Sequence, residues 1–192
     1  MVRSKSARTA VLEIALTRIR RDGLIPPGSK VLVACSGGAD STALFDILLG
    51  QADEGDWRVG VIHVDHGQHP EAARIAGRVR ARCRRLGVPF HMTRLDPARM
   101  PPGSPEAALR EARYRILRQV AERGGYDRIA TGHSASDQAE TVLMRLTRGT
   151  GPAGLAGIPA LRDGLYIRPL LDLHREQILA YLGSRRLRWD ED

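Results

Sequence analysis

The sequence predicts an α/β fold, a five-stranded parallel sheet with helices on both faces, and three observations predict it. Short apolar runs alternate along the chain with longer stretches whose apolar residues recur at helical spacing. Two of those runs pass through a polar, glycine-containing turn straight into a helix, at residues 31–49 and 127–146. The chain has 192 residues and 42% hydrophobic content, enough for one substantial packed domain.

Residues 6–22 read as an amphipathic helix, with Val11, Leu12, Ala15, Leu16 and Ile19 on one face and Arg8, Arg18 and Arg21 elsewhere. Gly23 stops it, and Pro26-Pro27-Gly28 turns into the first strand. Residues 1–27 are therefore expected as a basic helix packed on a domain of residues 28–192. Val31–Ala34 is the first strand and Thr42–Leu49 the helix that follows it.

Between them stands Ser36-Gly-Gly-Ala-Asp-Ser41. A strand, a tight turn and a helix start in succession make an anion site, because free backbone N–H groups converge there and the helix dipole adds positive potential. Gly37 and Gly38 let the backbone close on a ligand. Ser36 and Ser41 offer hydroxyls, and Asp40 can hold magnesium. A P-loop is excluded, since the chain has no Gly-Lys pair.

A polar connector at 51–56 leads to the second strand at 58–64. His63, Asp65, His66 and His69 follow closely, but their spacing mixes strand faces with a loop, which argues against a transition-metal site. Residues 71–86 form a helix rich in arginine, Gly87 caps it, and 88–95 is the third strand. Four prolines make 96–105 an irregular loop.

A long helix spans 106–123, with Arg110 and Arg113 spaced so that both can point at one site. The fourth strand is 127–131, and Ala139–Leu146 is a helix. Asp137 and Glu140 sit three apart at its start, where they can serve chemistry or merely complement the helix dipole. Gly149–Gly154 has the G-x-G-x-x-G spacing, but a helix precedes it, so it is read as a glycine loop near the site. The fifth strand lies within 161–171, and 172–186 is the last helix.

The formal net charge is +8, from 28 Arg and 2 Lys against 22 acidic residues. Such a chain suits a polyanionic partner, and arginine suits phosphate forks. Cys35 and Cys83 form no C-x-x-C, so no zinc ribbon or cysteine-held iron–sulfur cluster is signalled. No apolar run reaches membrane-spanning length and no signal-type stretch follows the basic N-terminus, so a cytoplasmic protein without a membrane partner is expected.

S-G-G-A-D-S at 36–41 resembles the pyrophosphate loop of the N-type ATP pyrophosphatases, with their adenine nucleotide alpha hydrolase-like fold. H-V-D-H-G at 63–67, E-A-A-L-R-E-A-R-Y at 106–114, T-G-H-S-A-S-D-Q-A-E-T at 131–141, R-G-T-G at 148–151 and R-P-L-L at 168–171 extend the likeness to about residue 28 and the end. The set is similar to the tRNA(Ile)-lysidine synthetase family within these PP-loop ATPases. The resemblance implies a tRNA-modifying ligase. ATP with Mg2+ adenylates the wobble cytidine of tRNA(Ile), and L-lysine then displaces AMP to form lysidine.

For the residues, it implies phosphate contacts at Ser36, Gly37, Gly38, Ala39, Asp40 and Ser41, with Asp40 holding the metal. Arg110 and Arg113 neutralise phosphate or orient the activated base. His133 positions the nucleotide, and Asp137 and Glu140 receive the lysine. Gln68-His69 stands where the family has Leu-Arg. The family also carries a tRNA-binding region after a W-x-E-D stretch, and Trp189–Asp192 is that stretch, so this region is expected to be absent. The alternatives are a sister RNA-thiolating enzyme, which typically carries paired cysteines, a small-molecule amidating enzyme, and a non-catalytic nucleotide- or RNA-binding module.

Overall fold

Strand β1 (Ser29–Ala34) runs through the middle of the sheet because both of its faces are apolar. Val31 and Val33 are buried in one core cluster and Leu32 in another, each fully inaccessible to solvent. In the computed structural model the described residues are 2–65, 71–95, 105–147, 149 and 156–190, without the side chains of 2–7 and 105–107.

The sheet order is β3 (Phe90–Arg94), β2 (Trp57–Asp65), β1, β4 (Arg128–Ala130), β6 (Tyr166–Ile167), β5 (Leu161–Arg162). The first five run parallel, and β5 pairs antiparallel with β6. The sheet therefore has six strands, not the five expected. Asp163 and Gly164 adopt φ of 54° and 63°, a turn that folds the stretch read as one strand back on itself. Leu161 then lies opposite Ile167, and Arg162 opposite Tyr166.

Helices α1 (Val2–Arg21), α2 (Ala39–Gly50), α3 (Ala72–Arg85) and α6 (Arg175–Ser184) cover one face of the sheet. Val11, Ala15 and Ile19 of α1 pack there beside Ile178 and Leu182 of α6. The other face is covered by α4 (Pro105–Gly124), through Leu117 and Ala121 against Leu32, Ile62 and Ile129. Helix α5 (Ala135–Thr147) buries no residue and carries Leu143, Met144 and Leu146 exposed.

Helix α1 begins at Val2 rather than residue 6, and two helices at the site also begin earlier than their apolar periodicity indicates. Gly38, extended at φ −69° and ψ 171°, is the N-cap of α2, which brings Asp40 and Ser41 into the first turn rather than the loop. Helix α5 begins four residues before the expected Ala139. The Ser134 amide and hydroxyl both donate to Asp137 Oδ2, at 2.7 and 2.9 Å, closing the first turn as in a capping box. Conversely, α6 starts at Arg175 instead of 172, where the His174 amide donates to Gln177 Oε1.

Beneath the sheet's carboxyl edge, Asp46 of α2 joins three helices. It accepts from Tyr181 Oη at 2.8 Å, Arg185 Nε at 2.8 Å and Arg82 Nη2 at 2.9 Å. Removing it leaves two guanidiniums and a buried phenol without their acceptor. Asp46→Ala is expected to lower stability by about 2–4 kcal/mol in urea unfolding; a change within about 0.5 kcal/mol shows that the network is dispensable.

Candidate active site

The strand order reverses between β1 and β4, where sheets of this kind open a ligand crevice at their carboxyl ends. Leaving β1, the chain crosses Gly37 at φ +102°, a conformation that glycine alone adopts freely. The loop is tied from inside. Ser41 Oγ donates to the Gly38 carbonyl at 3.1 Å and accepts from the Gly37 amide at 3.3 Å. Ser36 Oγ lies 3.1 Å from Ser41 Oγ and accepts from the Gly38 amide.

The loop is also held from outside. His63 Nδ1 lies 2.9 Å from the Cys35 carbonyl, and the Asp190 amide donates to the Gly37 carbonyl at 2.9 Å. The Asp190 carboxylate pairs with Arg74 and Arg78 of α3. These bonds leave the first-turn amides of α2, which have no acceptor within the helix, facing the crevice mouth.

A cavity of about 280 Å³ opens there. Ser36, Gly38, Ala39, Asp40 and Ser41 form its loop wall, Ala34, Ile62, Val64 and Leu117 an apolar wall, and Thr131, Gly132, His133 and Asp137 the wall from β4 and α5. Gly132 is where the two strand ends meet. A Cβ there would lie 3.0 Å from the Ser41 amide nitrogen and 3.1 Å from the Asp40 carbonyl carbon.

Of the residues singled out from sequence, Asp40, Arg113, His133 and Asp137 line this cavity together with the loop. Gly37 does not line it but shapes the loop behind. Arg110 and Glu140 are exposed and lie outside the lining. His63 and Asp65 are buried on the strand face opposite Ile62 and Val64, and His66 and His69 lie outside the described residues. Of the expected loops at 96–105 and 149–154, all but Pro105 and Gly149 lie there too.

Residues to which the sequence assigned no role join the site. Arg175, in the first turn of α6, reaches across to Asp40 Oδ2 at 3.2 Å. Arg168, in the R-P-L-L stretch, is only 1% exposed and donates to the Pro159 carbonyl and to Tyr114 Oη, the latter at 3.4 Å. Around the Tyr114 ring stand Arg162 at 5.2 Å and Arg110 and Arg113 at 5.8 Å. Burial raises the Tyr114 phenol, but the Arg168 hydrogen bond and the surrounding cations bring it below its ordinary value.

The same cations act on His133. Burial, then Arg168, push its pKa down to about 4, against a smaller upward pull from Asp137. The ring is thus neutral at pH 7, with Nδ1 and Thr131 Oγ1 sharing a hydrogen bond at 2.9 Å.

The chain matches the PP-loop domain family over residues 9–192. It is 45% identical over 184 residues to a tRNA(Ile)-lysidine synthase of Gloeobacter violaceus, covering 93% of this chain and 55% of that protein. It is 46% identical over 172 residues to the synthase of Salinispora tropica, covering 86% and 51%. The chain thus spans about half the length of these two relatives. Among solved structures it superposes on the U34-tRNA thiolase NcsA of Methanococcus maripaludis, which holds a [4Fe-4S] cluster. That match has a TM-score of 0.82 at 20% identity, over 97% of this chain and 67% of the thiolase, and speaks for the fold alone.

The depressed His133 pKa ties stability to pH. Between about pH 4 and 6.5 the unfolded chain binds the proton that the folded ring refuses. His133 is therefore expected to contribute stability fully above pH 6.5 and to lose it as pH falls toward 4. Urea unfolding of the parent and His133→Asn at pH 7 and 4.5 measures this. The variant's loss on acidification should be the smaller; equal losses refute the assignment.

Proposed function

This chain belongs to the PP-loop domain family, and we propose from that premise that its cavity binds ATP and activates the wobble cytidine of tRNA(Ile) for attachment of L-lysine. One observation carries the reading. The tied loop, Asp40, Arg113, His133 and Asp137 line a single cavity with one polar and one apolar wall. The triphosphate lies on the amides at the start of α2, and the adenine against Ile62, Val64 and Leu117.

The cytidine O2 attacks the α-phosphorus and pyrophosphate leaves. The lysine side-chain nitrogen then attacks C2, the C2–O2 bond breaks, AMP departs with that oxygen, and the nitrogen loses a proton. A magnesium ion suits Asp40, since such ions take one or two protein carboxylates and complete their shell with phosphate oxygens. Held there, it would supply positive charge against the leaving pyrophosphate. Arg175 adds fixed positive charge beside Asp40, and Arg113 adds it from across the cavity.

His133, neutral at pH 7, orients the nucleotide by hydrogen bonding rather than by charge. Asp137 is held in one rotamer by Ser134 and receives the lysine ammonium, with Glu140 one turn along α5. It serves as the acceptor for the amine proton. A thiolating reaction fits less well. Both cysteines are buried, and burial raises both thiols, Cys83 to about 11, the reverse of an activated sulfur nucleophile.

Pyrophosphate release with ATP, lysine and a tRNA(Ile) transcript tests the reading, and release that ignores lysine and tRNA alike overturns it. Two substitutions divide the site. Gly38→Val is expected to weaken ATP binding at least about tenfold while the far-UV spectrum stays native, because a branched side chain would fill the phosphate cradle. Asp137→Asn is expected to keep ATP affinity and lower lysidine formation about a hundredfold or more. Loss of ATP binding in Asp137→Asn instead places that carboxylate with the phosphates.

A further inference from the structure

We propose that the arginines gathered around Tyr114 and Tyr166 form a phosphate clamp for the RNA strand flanking the target nucleotide, an inference that rests on the RNA reading above. The two rings meet edge to face, with centroids 4.8 Å apart at 75°. Arg162 of β5 and Arg110 and Arg113 of α4 stand over Tyr114, and Arg118 stands 5.9 Å from the Tyr166 ring. A guanidinium against an aromatic ring keeps its N–H edges for other acceptors, so the rings hold the cations in place without consuming their donors.

The charge balance separates this patch from the arginines of α3 that face the loop and the core, while Arg84 and Arg85 at the far end of that helix form no ion pair among the described residues. On α3, Arg74 and Arg78 are paired with Asp190, and Arg82 with Asp46. Around Tyr114, among the described residues, no carboxylate forms an ion pair with Arg110, Arg113, Arg118 or Arg168. Arg162 meets its chain neighbour Asp163, and both are about half exposed, so that pair is screened. Arg168 adds a charge that is 1% exposed, and its Nε has no hydrogen-bond partner. Gathering like charges with only the exposed Asp163 carboxylate to offset them raises the energy of the free protein, and an arriving polyanion relieves it.

Position identifies the ligand. Arg113 belongs both to the cluster and to the cavity wall. From it the cluster runs outward to Arg110, Arg118 and Arg162, which are exposed and do not line the cavity. The phosphates of ATP are served by the loop on the opposite wall. A nucleotide entering the cavity as part of a strand carries its flanking phosphates across this rim, where paired forks match phosphate oxygens.

The test uses the chain itself and a fluorescent anticodon stem-loop of tRNA(Ile), titrated from 0.05 to 0.2 M salt. Arg118→Gln with Arg162→Gln removes two exposed contacts. The slope of log affinity against log salt should fall by about 1.4–1.8, and binding at 0.1 M salt should weaken roughly 25- to 60-fold. ATP affinity and the melting temperature should hold. Arg118→Lys with Arg162→Lys should restore the slope. Arg84→Gln with Arg85→Gln, an equal charge change on α3, should cost far less. Equal losses from the two glutamine pairs mean a diffuse field and overturn the clamp, as does unchanged binding in the first pair. No RNA binding by the unsubstituted chain overturns the RNA reading itself, and the clamp with it.

Discussion

Everything at the site depends on one close approach of backbones. Strand β4 ends at Gly132 against the first turn of α2, where a Cβ on residue 132 would lie only 3.0 Å from the Ser41 amide nitrogen, a contact tighter than side chains ordinarily make. This contact sets the width of the crevice at the point where the strand order reverses. It puts the N-terminus of one helix, and so its orphan amides, beside the residues that start another. Sheet twist and parallel pairing bring the two strand–turn–helix units together, and the missing side chain lets them touch.

The walls then divide the labour by electrostatics. The loop wall offers dipoles and hydroxyls fixed by their own hydrogen bonds, which need little reorganisation when charge arrives. The opposite side supplies full positive charges, held by tyrosine rings and carbonyls. Between them His133 is kept neutral, because adding another cation beside Arg168 in a half-buried place is unfavourable. The imidazole is thus a poor anion partner but a stable hydrogen-bonding group across the physiological range.

Much of this was legible in the sequence. The apolar run at 31–34 reads as a fully buried strand, and it is one, in the middle of the sheet; the glycines after it mark a tight turn into a helix. What local pattern missed has physical causes. Helix α5 starts early because Asp137 closes on Ser134, a polar event invisible to apolar periodicity. The hairpin at the sheet edge has strands of two residues, too short to show a period, although Asp163-Gly164 was a usable turn signal. Arg175 and Asp190 reach the loop only through tertiary folding, from 135 and 153 positions away along the chain. The family motifs did carry Arg168 and Tyr114, but as letters without a role. Their arrangement as a buried cation under a ring of exposed ones emerges only in three dimensions.

The tether from Asp190 to Gly37 also has an optical consequence. The chain has two tryptophans. Trp57 is buried, with its indole N–H bonded to the Leu48 carbonyl at 2.9 Å, and it does not line the cavity. Trp189 is half-buried, adjoins Asp190 and packs at the edge of the core. The Gly37 carbonyl is thus one backbone hydrogen bond away from the residue beside this indole, which ties the loop's position to the indole's surroundings. The protein thereby carries one intrinsic fluorophore beside its glycine loop and a second in its core, so a movement of that loop can be followed without an attached dye.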